Sequence, residues 1–107
     1  RRVLFRSNYR MFYVELIDIT REFLTNQYRI PADVLLTDDL IEVMKKTNRI
    51  SVENEKIVEE TFLRGDLVKF AKIFPTQEMM KEDFQKIYDF VKRSTADIEA
   101  EHLREAN

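Results

Sequence analysis

The stretch NYRMFYVELIDITREFLTNQY, from Asn8 to Tyr28, decides the fold class of this chain. Large apolar residues recur in it at the spacing of one helix face, with charged residues between them. The apolar positions are Tyr9, Phe12, Tyr13, Leu16, Ile19, Phe23 and Leu24. A wide stripe of this kind is typical of an amphipathic helix packed on a core. We predict a first helix of about five turns, from Asn8 to about Tyr28.

A short second helix is predicted after a connection of eight residues. Pro31 disfavours helical geometry at the residue before it, so residues 29–36 form the connection. Thr37 supplies a capping hydroxyl, and Asp38 and Asp39 suit the first turn of a helix. We expect this helix to end at about Lys46.

Ser51 is expected to begin a third helix, which contains the single glycine of the chain. The apolar residues of this helix are Val58, Phe62, Leu63, Leu67, Phe70 and Phe74. The stripe formed by Leu63, Leu67, Phe70 and Phe74 keeps one helical phase across Gly65. Either Gly65 ends one helix and Asp66 caps the next, or the helix continues and Gly65 allows a neighbouring helix to approach closely. The unbroken phase favours the second interpretation.

Pro75 and Thr76 are expected to end the third helix and cap a fourth. Its apolar face is predicted from Met80, Phe84, Ile87, Tyr88 and Val91. Residues 96–107 lack a comparable stripe, so we expect a frayed, polar C-terminal tail. Four amphipathic helices with short connections predict an all-α fold, a compact bundle of about four helices spanning residues 8–95.

The first seven residues, RRVLFRS, resemble the translation of a common sequencing adaptor. We therefore treat residues 1–7 as an artefact that contributes nothing to the fold, and expect the gene to be interrupted upstream. Without the three arginines of this segment, 15 basic residues face 20 acidic ones, a net charge of −5. Such an acidic domain disfavours nucleic-acid binding. No apolar run approaches the ~18 residues of a membrane span, so we expect a soluble piece.

The sequence contains few residues that could form a catalytic or metal-binding site. Cysteine is absent, which excludes thiolate metal sites and cysteine nucleophiles. His102, the only histidine, has Glu99 at the spacing used by di-iron bundles, but those need two such motifs, so a solvated tail histidine is favoured. The adjacent carboxylates Asp38/Asp39 and Glu59/Glu60 point about 100° apart on a helix and cannot converge. We therefore predict no enzyme, no metal site and no cofactor.

A family resemblance covers nearly everything from Tyr9 to Thr95. Its motifs are FYVELIDITREFL (12–24), LLTDDL (35–40), DLVKFA (66–71) followed by Pro75, and DFVKRST (89–95). In order and approximate spacing they resemble a C-terminal helical region of aerotolerance-operon (Bat, BatD-like) membrane proteins. The resemblance implies the cytoplasmic face of an inner membrane, reached through a missing upstream segment. It also implies neighbours of two kinds, a MoxR-type AAA+ ATPase and von Willebrand factor A proteins.

The DLVKFA segment supports two interpretations. The simpler one is helix packing, with Asp66 and Lys69 paired on the surface and Phe70 and Ala71 facing inward. The other makes Asp66, Lys69 and Lys72 a charged ledge that a protein partner recognises. From the resemblance we expect a non-enzymatic adaptor domain. The alternative is a helical DNA-binding module, which would need a basic face that the mixed charges of the fourth helix do not provide.

Overall fold

The computed structural model describes residues 2–71 and 73–106, with side chains from Tyr9 onward. These residues form an all-α bundle of four helices, as predicted. The helices are α1 (Arg2–Tyr28), α2 (Thr37–Lys46), α3 (Val52–Phe70) and α4 (Gln77–Ala106). The bundle is elongated, with extents of 55 × 24 × 20 Å. Within the described part of the chain, no helix is both long and apolar enough to cross a membrane.

Helix α3 is the centre of the arrangement, because α1, α2 and α4 all pack against it. Helices α1 and α4 also contact each other and run in the same direction: Tyr13 meets Asp83, and further along Phe23 meets Phe90. Helix α3 runs antiparallel to α4, since Arg64 contacts Asp83 and the earlier Asn54 of α3 contacts the later Arg93 of α4. The result is a three-helix core with α2 added on the side of α3.

The buried face of α1 matches the predicted stripe in part. Tyr13, Leu16 and Leu24 are buried as expected, but Ile17 is also buried, and Ile19 is 57% exposed. Helix α1 begins at Arg2 and not at Asn8. Residues 2–7 contain no glycine or proline, so nothing in their sequence stops the helix from propagating. The side chains of residues 1–8 lie outside the described ones, and the artefact assignment of residues 1–7 stays a prediction.

Gly65 lies inside a continuous α3, which confirms the close-approach interpretation. The glycine is buried against α1, where a Cβ atom would overlap Ile17 Cδ1 and lie 3.8 Å from Tyr13 Cβ. The missing side chain therefore allows α1 and α3 to pack at short range.

The inward-facing stripe of α3 matches the predicted apolar residues only in part, since Val58 and Phe62 are buried as expected. Helix α3 buries Val58, Phe62, Gly65 and Val68, whereas Leu63, Leu67, Phe70 and Phe74 are exposed. The expectation that Phe70 and Ala71 face inward is therefore wrong. Both stripes have helical spacing, but only the stripe with Gly65 lets α1 approach, and this stripe faces the core.

Helix α4 is likewise rotated from the prediction and is longer. Its buried residues are Asp83, Ile87, Phe90, Ser94 and Ile98, while Phe84 and Tyr88 are each 51% exposed. The prediction of a frayed tail is also wrong for residues 96–106, and Asn107 lies outside the described residues. Ile98 belongs to the hydrophobic core, and α4 continues to Ala106.

Two of the three predicted N-cap residues cap their helices, and the start of α2 is displaced by one residue. Ser51 Oγ accepts a hydrogen bond from Asn54 N at 3.1 Å, and Thr76 Oγ1 accepts one from Met79 N at 3.1 Å. The residue that precedes α2 is Leu36, which has no side-chain cap, so Thr37 lies within the first turn and is not the cap. Helix α2 therefore begins one residue earlier than predicted.

Arg21 fixes the connection between α1 and α2. Its guanidinium donates to the carbonyl oxygens of Ala32 at 2.5 Å and Leu35 at 2.6 Å. The same guanidinium lies 5.1 Å from the centre of the Phe62 ring. One side chain of α1 therefore holds the loop that leads to α2 and also contacts α3.

Candidate protein-interaction site

The three charged residues proposed as a ledge are not brought together by the described structure. Asp66 and Lys69 are half-buried near the end of α3, and Lys72 lies outside the described residues. Among ion pairs of the described side chains, none joins Asp66 to Lys69. Lys69 Nζ instead lies 5.4 Å from the centre of the Phe70 ring. The expected surface pair is therefore wrong, and the ledge stays a prediction.

The same part of α3 exposes three large apolar side chains, which we call the α3 face: Leu63, Leu67 and Phe70. They are 44%, 47% and 75% exposed. Spacings of four and three residues place them on one side of the helix. Asp66 and Lys69 lie between them along the chain. An apolar face bordered by charges is the pattern of a surface that binds another protein.

A second apolar surface lies between the first halves of α1 and α4. This α1–α4 groove has a volume of about 830 Å³. Its apolar lining includes Tyr9, Met11 and Phe12 of α1 and Met80 and Phe84 of α4. Phe84 also stacks on Tyr88, with the ring centres 6.3 Å apart. The groove is therefore bounded mainly by apolar side chains that the bundle leaves half exposed.

Next to the groove, a buried network of polar groups joins three helices. Asp83 Oδ2 accepts hydrogen bonds from the Tyr13 hydroxyl at 2.5 Å and from Arg64 Nε at 2.7 Å. Tyr13 is fully buried and Asp83 is 2% exposed. A buried carboxylate needs such partners, because a charge removed from water without them is costly.

Burial and hydrogen bonding keep the Tyr13 hydroxyl protonated. Burial raises the pKa of Tyr13 well above its usual range, and the hydrogen bond to Asp83 raises it further. For Arg64, burial lowers the pKa, but the bond and the charge of Asp83 outweigh this and raise it overall. The network therefore combines a Tyr13 hydroxyl that stays protonated with an Arg64 guanidinium that stays charged, as suits a structural role.

The sequence analysis missed this network. Tyr13 belongs to the predicted apolar stripe of α1, and Asp83 is one of the mixed charges of the fourth helix. The available indication was spacing: Asp83 lies four residues before Ile87, on the same helix face. A carboxylate on a buried face requires a partner, and Arg64 is the cation that the fold places opposite it.

A second buried polar group lies on α3. Glu55 is 5% exposed, and one of its carboxylate oxygens has no hydrogen-bond partner among the described residues. Burial raises the pKa of Glu55, and the neighbouring Glu59 raises it further. The adjacent Asn54 accepts a hydrogen bond from Arg93 of α4 at 3.1 Å. These contacts support α3 and form no open site.

The remaining carboxylate candidates are separated by the fold. Glu59 Oε1 lies 3.9 Å from Lys45 Nζ of α2, and Glu60 Oε2 lies 3.9 Å from Lys86 Nζ of α4. The two glutamates therefore point to different helices. Asp38 and Asp39 occupy the first turn of α2. His102 and Glu99 are exposed on α4. Among residues 2–71 and 73–106, no three potential ligands cluster in a way that could hold a metal ion.

No protein-family profile matches the chain, and neither the curated proteins nor the solved structures include a significant match.

Proposed function

We propose that this chain is a non-enzymatic helical adaptor domain that binds a protein partner through the α3 face. The observation that carries the proposal is the exposure of Leu63, Leu67 and Phe70 on one side of α3. The other side of the same helix packs on the core, so the bundle leaves a large part of each of these side chains uncovered. At protein interfaces a few anchor residues, buried when the partner binds, contribute most of the affinity.

The nature of the partner rests on the resemblance to aerotolerance-operon proteins. It points to a MoxR-type AAA+ ATPase or a von Willebrand factor A protein of the same operon. In the intact protein the domain would then lie on the cytoplasmic face of the inner membrane, attached through an upstream segment. Asp66 and Lys69, which border the α3 face, would set the orientation of the partner more than the affinity.

The test is a binding assay against both classes of partner with paired variants. Leu67→Ala with Phe70→Ala truncates the α3 face, and we expect at least tenfold weaker binding, since that is the usual effect of removing an interface anchor. The control is Val34→Ala with Leu36→Ala, because these side chains are each 76% exposed in the α1–α2 connection. Both variants are expected to keep the helicity of the wild type in circular dichroism.

A third variant, Asp66→Ala with Lys69→Ala, separates the charges from the apolar face. We expect it to fold normally and to slow association, with a smaller effect at high salt. Equal binding by the α3-face variant and its control would contradict the proposal, as would failure of the wild type to bind either class of partner.

A further inference from the structure

The two walls of the α1–α4 groove carry opposite charges. Glu15 lies on the α1 wall and Lys81 on the α4 wall, and both line the groove. Both side chains are exposed. Within the described part of the chain, neither takes part in an ion pair. The groove is thus an apolar channel with one acidic and one basic edge.

We propose that the groove is the contact surface between two copies of this chain, related by a two-fold axis parallel to the bundle. A two-fold dimer uses the same patch on both copies, so this patch must be complementary to itself. Opposite charges on the two walls meet that requirement. The Glu15 edge of one copy then faces the Lys81 edge of the other, and the reverse contact forms at the same time.

The direction of the helices selects this arrangement. Because α1 and α4 run in the same direction, an axis parallel to them places α1 of one copy over α4 of the second copy. Tyr13 of α1 lies level with Asp83 of α4, so Glu15 and Lys81 are offset by about four residues, or about 6 Å, along the helices. The long, flexible side chain of Lys81 can span this offset and reach Glu15 of the second copy. An axis across the helices would place α1 over α1 and bring the Glu15 edges together, which like-charge repulsion disfavours.

Apolar side chains next to the groove extend the surface. Ile19 lies seven residues after Phe12, on the same face of α1, and is 57% exposed. Tyr88, stacked on Phe84, continues the α4 wall. A second copy would cover these residues on both walls. The groove is lined by α1, α4 and the connection before α4, so dimerisation leaves the α3 face open and is independent of the adaptor proposal.

The test measures the molar mass of the purified chain by size-exclusion chromatography with light scattering, over micromolar to high micromolar concentrations. We expect the wild type to approach twice the mass of one chain. Glu15→Lys and Lys81→Glu should each weaken the dimer at least tenfold, because each places like charges at both contacts. The double variant with both changes should restore it, and an equimolar mixture of the two single variants should form a heterodimer.

Glu105→Lys is the matched control, since it makes the same charge change at an exposed position of α4 away from the groove. It is expected to leave the dimer unchanged, and circular dichroism should show equal helicity for all variants. A wild type that stays monomeric at the highest concentration would overturn the proposal and assign the groove to a different protein. A dimer that neither single charge reversal weakens, or single variants that fail to associate when mixed, would also overturn it.

Discussion

At the residue scale, Asp83 shows how one carboxylate can link three helices. Its Oδ2 atom accepts from Tyr13 of α1 and from Arg64 of α3, and the aspartate itself belongs to α4. Breaking a buried hydrogen-bonded charge pair typically costs about 3–5 kcal/mol, because the remaining charge is left without a partner. The network therefore specifies the relative positions of α1, α3 and α4 more sharply than apolar contacts would.

Tyr13→Phe tests the network without creating a cavity. We expect a loss of about 1.5–3 kcal/mol in the free energy of unfolding, the usual value for a hydrogen bond to a charged group. Urea unfolding monitored by circular dichroism measures it. Tyr88→Phe, at a half-exposed tyrosine, is the control and is expected to change stability by less than about 0.5 kcal/mol.

The same variant should alter the alkaline pH dependence. The folded-state pKa of Tyr13 is raised above the unfolded value of about 10. Between those two values the unfolded tyrosine ionises while the folded one stays neutral, so its contribution to stability is lost as the pH rises above about 10. Tyr13→Phe is expected to flatten this decline. An equally steep decline in the variant would show that Tyr13 ionises alike in both states.

At the scale of elements, α3 carries two candidate faces and only one of them packs on α1. The sequence predicted the helix, its Ser51 cap and the continuity through Gly65 correctly, because caps and spacing are local properties. It could not decide which stripe faces inward, because Leu63, Leu67 and Phe70 are as apolar as Val58, Phe62 and Val68. The close approach of α1 at Gly65 determines which stripe of α3 faces the core. This contact depends on both helices and cannot be recognised in the sequence of either one alone.

A double-variant cycle with Gly65→Ala and Ile17→Val tests this close approach. Gly65→Ala gains about 1 kcal/mol of helix propensity but forces Ile17 to move, at a typical overpacking cost of about 1–3 kcal/mol. We expect a net loss of about 1 kcal/mol. Ile17→Val alone removes Cδ1 and costs about 0.5–1.5 kcal/mol. The double variant should be about as stable as the wild type, because the new methyl group fills the space that Cδ1 leaves.

Thermal or urea unfolding of the four proteins gives the coupling energy directly. Additive losses from the two single variants would show that α1 and α3 separate to accommodate the extra methyl group. The central role assigned to Gly65 would then not hold.

At the scale of the whole molecule, the number of helices and their order were predictable, and the relative rotation of the helices was not. The error at the C-terminal end has the same origin. Residues 96–107 contain no apolar stripe of their own. Ile98 nevertheless belongs to the hydrophobic core that also contains Tyr28 and Ile50. A single apolar residue is enough to extend packing when other parts of the chain already form a core beside it, and no local sequence pattern indicates this.

The candidate site shows the same difference between features that were predictable from the sequence and features that were not. Asp66 and Lys69 were located on α3 correctly, yet the apolar face beside them was expected to be buried. The groove between α1 and α4 was not anticipated, because it depends on two helices far apart in sequence. Features that one helix determines could be predicted, and features that two helices share required the structure.

Truncation after Thr95 tests the far end of the bundle. It removes Ile98, which is 7% exposed in the core, and Glu101, which lies 3.3 Å from Arg49. Loss of a buried isoleucine costs about 2–5 kcal/mol, and the surface pair adds less than about 1 kcal/mol. We expect a loss of about 3 kcal/mol or more, measured by urea unfolding. Against a typical total of about 5–15 kcal/mol, the truncated chain would be marginally stable.

Two further variants distinguish the effect of losing core packing from the effect of shortening α4. Deletion of residues 104–107 removes the last three residues of α4, residues 104–106, which are all exposed. It is expected to change stability by less than about 0.5 kcal/mol. Ile98→Ala in the full chain should reproduce most of the loss seen on truncation after Thr95, because it removes the same buried side chain and leaves the helix intact. If that truncation is as stable as the full chain, the last three turns of α4 do not contribute to the stability of the bundle. The bundle then ends near Thr95, as the apolar stripe of the sequence predicts.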